Sequence, residues 1–401
     1  MSVHNATFSG LGLLAPLTRQ LAALGYDAPR GVQLAAIPAM LQGQDVKVQA
    51  NTGSGKTAAF ALPLLQRLMM IPPSARGRFV RTLVLVPSRE LAMQVGESIR
   101  QYCAQISPAP SVLTVYGGVS VNPQMMALRG GADVLVATPG RLLDLLGKNA
   151  LKLDRLETLV LDEADKLLSL GFADELSQLF ARLPKNRQTA LFSATFGDEV
   201  TALAGKVLRQ PLDITMTAET DKADICQRVI EVAAERKTQL LIQLIKQNQW
   251  PQLLVFANAK QSCNRLQQKL QRAGINTQVF HGDKSQGNRG AVLNDFKQGK
   301  LQILIATDIA ARGLDIDKLP AVVNYELPRS PADYIHRIGR TGRAGESGLA
   351  VSLICPDEFH HFRVIEKKHK LRLPREQVCG FELPAQQPDV SQDKNPQSKG
   401  R

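Results

Sequence analysis

Cysteine is scarce and poorly placed for chemistry. The 401 residues contain five (Cys103, Cys226, Cys263, Cys355 and Cys379), an odd number without a CxxC or a Cys/His spacing suited to zinc. Structural zinc and a disulfide framework are argued against, and a reducing compartment, the cytoplasm, is expected. Hydrophobic runs are short. No stretch of 18 or more apolar residues occurs, so neither a membrane span nor a membrane partner is expected. The opening MSVHNATFSG lacks the basic start of a secretory signal. Acidic residues are in deficit, 36 against 49 Lys and Arg, giving a net charge of +13. The excess is spread along the chain, 21 basic to 15 acidic over 1–210 and 28 to 21 over 211–401. A body with dispersed basicity fits a polyanionic partner, of which nucleic acid is the commonest.

What is present is a repeated plan. Short apolar runs rich in β-branched residues alternate with helical segments: VKVQA (46–50), TLVLVP (82–87), DVLVAT (133–138), TLVLD (158–162) and TALFSAT (189–195). A second series follows, with QLLVFAN (252–258), TQVFHGD (277–283), LQILIATD (301–308), AVVNYEL (321–327) and GLAVSLI (348–354). Runs apolar on both faces and separated by helices predict parallel sheets covered on each side, hence two doubly wound α/β domains. The polar stretch 215–224 is expected to be the linker between a domain at 1–214 and one at 225–375. The Gln-, Pro- and Ser-rich residues 376–401 are expected to be disordered. In such sheets ligands sit beyond the carboxyl ends of the strands, and the informative residues do follow strands.

ANTGSGKT (50–57) lies between the run VKVQA and an amphipathic segment. Asn51, Thr52, Gly53, Ser54 and Gly55 can turn backbone N–H groups towards phosphates at a helix start. Lys56 can reach the terminal phosphates and Thr57 can ligate Mg²⁺. The acidic group Asp162, Glu163 and Asp165 closes the buried run TLVL, where like charges call for a cation. A nucleotide's Mg²⁺ answers that need, with Asp162 holding the metal and Glu163 orienting and deprotonating the attacking water. Arg340 and Arg343 flank a glycine-punctuated turn and have the planar geometry suited to a γ-phosphate in its transition state. With His336 and Arg337 they form a group of cations expected to need an anion. Tyr26 and Gln33 in a loop are unremarkable on their own; within the whole series of motifs, Tyr26 would offer an aromatic face and Gln33 a donor and an acceptor for adenine. His4, His281, His360, His361 and His369 show no metal spacing and are assigned to surface or packing.

DEAD (162–165), ANTGSGKT, SAT (193–195) and HRIGRTGR (336–343), with PSRELA (87–92), GG (117–118), TPGR (138–141), HGDKSQGNR (281–289) and TDIAARGLD (307–315) in order, resemble the DEAD-box RNA helicases over roughly residues 8 to 370. Residues 117–146 are most similar to the bacterial RhlE-like branch. The resemblance implies two RecA-like domains that close over ATP and RNA, with local, non-processive strand separation. The alternative is an ATP-gated RNA clamp or assembly platform in ribosome assembly or RNA decay. It implies further that Phe8 covers the adenine pocket and Asp315 binds the ribose. Asp165, Ser193, Thr195 and His336 would couple the domains. Arg89, Gly118, Thr138, Arg141 and Thr307 would contact RNA phosphates, which fixes register without reading sequence. Two departures stand out. Arg30-Gly31 occupies part of the adenine motif, where it is expected to loosen the loop, and Ser88 replaces Thr in PSRELA.

Overall fold

In the computed structural model the described residues are 6–51, 53–71, 79–216, 225–284, 286–311, 316, 319–342 and 348–383. The described residues divide into two compact units, one built on those up to 216 and one on those from 225 onward. The first unit holds β1 (Val46–Gln49), β2 (Thr82–Leu85), β3 (Val112–Val115), β4 (Val134–Ala137), β5 (Thr158–Leu161), β6 (Gln188–Ser193) and β7 (Leu212–Thr215). They form one parallel sheet in the order β3-β4-β2-β5-β6-β1-β7. The second unit holds β8 (Ile225–Glu231), β9 (Leu253–Phe256), β10 (Thr277–Phe280), β11 (Ile303–Ala306), β12 (Ala321–Asn324), β13 (Gly348–Ile354) and β14 (Arg375–Glu376). Its parallel order, β10-β11-β9-β12-β13-β8-β14, repeats that of the first sheet strand for strand.

Alternation along each strand sorts side chains between two cores. In the first unit Val84, Val136 and Val160 join the core above the sheet with Phe60 and Phe192, while Leu83, Leu85, Leu135, Leu159 and Leu161 join the one below. Burial on both faces is what a parallel sheet between helix layers requires. The strands not foreseen are four: β3, β7, β8 and β14. β3 is an edge strand that buries only Val112 and Val115, and β8 buries Val229 and Ile230 behind a polar start. β7 buries only Ile214, and β14 is the dipeptide Arg-Glu.

Two expected boundaries change. Thr215 belongs to β7, so the assigned linker begins inside the sheet, and its remainder, 217–224, lies outside the described residues. Residues 376–383, assigned to a disordered tail, pack on the second unit. Glu376 pairs with Arg228 at 2.6 Å across β14–β8, and buried Phe381 lies under Arg236, 4.5 Å from ring to guanidinium. One aromatic and one ion pair supply what the polar composition conceals. Residues 384–401 lie outside the described residues.

The matching strand order makes β8 the counterpart of β1. Each is followed by a helix opening on Lys-Thr: Lys56–Met69 after β1 and Lys237–Asn248 after β8. The second of these turns, 232–236, contains no glycine. There the buried Lys237 ammonium donates to Glu358 (2.5 Å) and to the Tyr325 carbonyl (3.3 Å), and the Thr238 hydroxyl meets that of Tyr325 at 2.9 Å. Burial pushes the Glu358 carboxyl up, but Lys237 beside it outweighs this and holds it below the usual glutamate value.

Candidate functional site

The carboxyl ends of the first sheet fall into two groups. β1, β6 and β5 are adjacent and carry the phosphate-loop sequence, the SAT turn and the acidic cluster. β2, β4 and β3 are adjacent and carry most of the expected RNA contacts.

At the first group, Gly53 (φ 81°) and Gly55 (φ 93°) adopt the left-handed backbone that lets the loop turn into the helix Lys56–Met69. Lys56 is buried and its Nζ donates to the Ala50 carbonyl at 2.8 Å, while the Ala50 amide donates to the Ser193 carbonyl at 3.0 Å. The Ser54 hydroxyl donates to the Asn51 carbonyl at 2.8 Å. Thr57 is half-buried at the helix start, and Thr52 lies outside the described residues. Asp162, 3% exposed, ends β5. Its carboxyl is pushed up to about 6: burial raises it most, Lys56 beside it offsets part of the rise, and Glu163 adds to it. A buried carboxylate so disfavoured as an anion is relieved by a nearby cation.

Glu163 is buried and sits at φ 54°, ψ 52°, the left-handed region, as the residue preceding the helix Ala164–Ser169. The other described non-glycine residues with positive φ, at 149, 210, 249 and 370, are exposed. A left-handed conformation at a non-glycine residue costs about 1–2 kcal/mol. Its carboxylate Oε1 accepts from Lys166 Nζ at 2.8 Å, both side chains being 5% exposed. Lys166 was not singled out in the sequence. The signal was a Glu and a Lys three apart at a helix start, a spacing that places them on one face. Asp165 is tied to the SAT turn: the Thr195 hydroxyl donates to its carboxylate at 3.1 Å, the Asp165 amide donates to Ser193 Oγ at 3.3 Å, and Ser193 Oγ donates to the Thr195 carbonyl at 2.7 Å.

The adenine-motif residues gather beside this loop. Phe8, 5% exposed, and Tyr26 meet edge to face at 6.4 Å, and the Tyr26 hydroxyl meets that of Tyr102 at 2.9 Å. Gln33 is 1% exposed; its Oε1 accepts from the Arg30 amide at 2.8 Å and its Nε2 donates to the Gly55 carbonyl at 3.2 Å. A Cβ on Gly55 would lie 2.5 Å from that nitrogen, so Gln33 closes directly over the phosphate loop. The expectation that Arg30 loosens the loop is reversed, because its Nη1 donates to the Gly53 carbonyl at 2.5 Å and ties the loop down. Ser88 substitutes for Thr without loss: its hydroxyl accepts from the Leu91 amide at 3.2 Å as a helix cap.

At the second group, the Arg89 guanidinium covers Gly118 (φ 78°), donating to its carbonyl at 3.4 Å, and a Cβ there would fall 2.4 Å from Arg89 Nη1. Arg141 Nη2 donates to the Val119 carbonyl at 2.7 Å, while its buried Nη1 has no hydrogen-bond partner among the described residues. Thr138, 7% exposed, precedes the helix Pro139–Gly147. The arrangement places two guanidinium groups, each held by a backbone carbonyl, beyond three adjacent strand ends.

In the second unit Thr307 is nearly buried after β11, and its neighbour Asp308 receives Arg337 as a two-pronged pair, at 2.5 and 2.6 Å. Arg337, 1% exposed, also donates to the Asn258 side chain (2.9 Å) and the Glu326 carbonyl (2.6 Å), and lies over Phe256. This corrects the idea that all four cations of HRIGRTGR await an outside anion, because the charge of Arg337 is answered from within. His336 stands 3.7 Å from Asp333 on the helix Pro331–Ile338. Arg340 is buried, and its carbonyl accepts from the Leu319 amide. Arg343 and Asp315 lie outside the described residues.

No group of three or more His, Cys, Asp or Glu able to cage a metal occurs among the described residues. Thr57 and Asp162 fit a Mg²⁺ that keeps water and phosphate oxygens, since that ion is seldom held by protein ligands alone. No helix among the described residues is long and apolar enough to cross a membrane.

Comparison with known proteins bears on all of this. Residues 30–203 match the DEAD/DEAH box helicase family, and 236–345 match the helicase conserved C-terminal domain. The chain is 42% identical over 367 residues to the ATP-dependent RNA helicase DbpA of Escherichia coli, covering 91% of this chain and 79% of that one. It is 40% identical over 374 residues to the ATP-dependent RNA helicase DeaD of Mycobacterium tuberculosis, covering 93% of this chain but only 65% of that longer relative. Among solved structures, Saccharomyces cerevisiae Dbp5 bound to RNA and ADP BeF3 is similar with a TM-score of 0.81 and 30% identity, covering 93% of this chain and 96% of that one.

Proposed function

Since the chain belongs to the DEAD-box family of ATP-dependent RNA helicases, we propose that it hydrolyses ATP under stimulation by RNA. It uses that cycle for local, non-processive separation of short RNA duplexes or remodelling of RNA–protein complexes. The observation that carries this reading is the convergence of buried Lys56, Asp162 and Glu163 at the ends of β1 and β5, with Lys56 close enough to lower the Asp162 pKa. Lys56 and the loop amides bind the phosphates, and Thr57 and Asp162 hold Mg²⁺, which neutralises phosphate charge when bound. Glu163 orients the attacking water and takes its proton. Arg340 and Arg343 answer charge developing on the γ-phosphate, and Asp315 binds the ribose. The yeast neighbour recorded with RNA and a nucleotide together supports one chain engaging both. Arg89, Gly118, Thr138, Arg141 and Thr307 engage the RNA backbone. The similarity of 117–146 supports a place in the RhlE-like branch, and ribosomal precursors or RNA-decay substrates in the cytoplasm are the matching targets.

Hydrolysis measured with and without RNA tests the proposal; no stimulation by any RNA overturns it. Lys56→Ala is expected to weaken ATP binding by about 10²-fold or more, as loss of one buried charge contact costs about 2–5 kcal/mol. Equilibrium titration with a fluorescent ATP analogue checks this.

Gln33 supplies a second expectation. It recognises adenine only while it also spans the Arg30 amide and the Gly55 carbonyl, so Gln33→Ala removes base choice and a loop tether together. The variant is expected to lose most preference for ATP over GTP and to bind both more weakly, each lost hydrogen bond counting for about 1 kcal/mol. Competition titrations with the two nucleotides read both effects. Unchanged discrimination would remove Gln33 from the adenine pocket.

A further inference from the structure

The helix Phe359–His369 and the segment after it, to Arg375, carry six Lys and Arg against a single Glu. That acid, Glu366, is already committed: it pairs with Arg375 at 2.7 Å and accepts from the Leu373 amide at 2.9 Å. The remaining cations, Arg363, Lys367, Lys368, Lys370 and Arg372, are all exposed, and no ion pair joins any of them among the described residues. Cations in the last turn of a helix are favoured by its dipole, which accounts for Lys367 and Lys368. Burial pushes the Glu366 carboxyl up, but Arg375, the Leu373 amide and Arg363, three residues before it, hold it below the usual glutamate value. Neither the dipole nor Glu366 accounts for Lys370 and Arg372 beyond the helix end.

The helix is held in place from its other side. Phe362 and Ile365 are buried with Tyr334 and Ile338. His361 meets the Pro328 carbonyl at 2.7 Å and His369 the Pro331 carbonyl at 2.6 Å. The charged face is therefore fixed along the turn that leads from β12 into the helix Pro331–Ile338, where exposed Arg329 extends it. Its chemistry narrows the partner. Val364 is the one large apolar side chain exposed on the helix, at 42%. Stable protein interfaces need an apolar or aromatic anchor, and membrane-surface helices need a broad apolar face. A row of cations without either suits a polyanion whose charges repeat along a flexible chain.

Resting on the reading of this protein as an RNA-stimulated ATPase, we propose that this face binds the phosphodiester backbone of RNA outside the stretch held at the strand ends. It anchors flanking RNA without reading its sequence and without entering the hydrolytic step.

The test compares the wild type with R363Q/K367Q/K368Q/K370Q/R372Q, using a short single strand that fills only the strand-end contacts and a longer RNA containing the same sequence. For the longer RNA, affinity is expected to fall at least about tenfold at moderate salt. The slope of log affinity against log salt should become shallower by up to about 3–4, since each phosphate contact contributes about 0.7 for single strands. For the short strand, affinity and maximal RNA-stimulated hydrolysis should hold. A companion variant that exchanges Lys for Arg and Arg for Lys at the five positions should keep the wild-type slope. A third, R265Q/K269Q/R272Q, neutralises exposed cations on the helix Lys260–Arg272 and should change the slope for the longer RNA much less per charge. An unchanged slope in the five-fold variant, equal losses for short and long RNA, or equal loss per charge from the third variant each overturns the proposal. If the five-fold variant fails to fold, R363Q/K367Q is read by the same slope, with a smaller expected change. Absence of RNA stimulation in the wild type would defeat the functional reading itself, which the short-strand measurement reveals separately.

Discussion

Glu163→Gln is expected to leave ATP binding near the wild-type level while lowering RNA-stimulated hydrolysis by about 10²–10⁴-fold, the range that a general base contributes. The substitution preserves shape, so the left-handed turn at residue 163 and the packing of the helix behind it can persist. What disappears is the ability to take a proton from water. RNA should then be retained for as long as ATP is present. The buried Lys166 ammonium also loses its carboxylate partner, so stability of the first unit should fall by up to about 3 kcal/mol, with Asp162 close enough to offset part of the loss. Thermal unfolding recorded alongside separates lost chemistry from lost fold. Lys166→Met provides the complement: a Glu163 that keeps its proton-accepting group but loses its hold should reduce turnover with little effect on ATP affinity, and Lys166→Arg should restore part of it. Hydrolysis at the wild-type rate in Glu163→Gln would remove Glu163 from the role of base.

Arg337→Lys is expected to be the most damaging conservative change in the second unit. A lysine keeps the charge, but it cannot reproduce a planar fork that meets both Asp308 oxygens while also donating to Asn258 and Glu326. Arg337 is 1% exposed, so water replaces its missing donors poorly, and Asp308, whose side chain is 17% exposed, is left with an incomplete partner. Breaking such a buried pair costs about 3–5 kcal/mol. Trp250, the single tryptophan of the chain, is nearly buried in the second unit and reports its unfolding separately. The urea midpoint of its fluorescence should drop clearly while the first unit melts unchanged, and RNA-stimulated hydrolysis should decline because Thr307 adjoins the broken pair. An unchanged midpoint would mean that the Asp308–Arg337 contact carries little of the fold.

How much of this was legible beforehand depends on where each interaction lies in the chain. Strands such as TLVL and ILIA announced themselves because both faces are buried. β3, β7 and β14 did not, because an edge strand need offer few apolar side chains or none, and interior β8 did not, because Cys226, Gln227 and Arg228 interrupt its apolar run before Val229 and Ile230. The places of Lys56 and Glu163 were readable because each stands directly after a strand that the apolar pattern marks, one past a glycine turn and one at the strand's end. The grip of Arg30 on Gly53 joins residues 23 apart, and that of Arg337 on Asp308 joins residues 29 apart. Nothing local in the sequence distinguishes those arginines from solvated ones. Reading Arg30 as a weakness failed for that reason: its effect is set by a carbonyl that only the folded loop brings near.

The repeated strand order gives the Lys237–Glu358 pair a meaning beyond stability. At the position where the first sheet offers a lysine, a threonine and a glycine turn, the second offers the same lysine and threonine, with no glycine and with a carboxylate of its own chain on the ammonium. The lysine of the second unit is thus already answered from within the chain. An internal anion is always present at unit stoichiometry, whereas a free nucleotide must compete for the same contact and bring its own binding energy. The two halves are consequently unequal at this position: the Lys237 ammonium is answered by a carboxylate of its own chain, whereas the Lys56 ammonium donates to a backbone carbonyl beside a glycine turn.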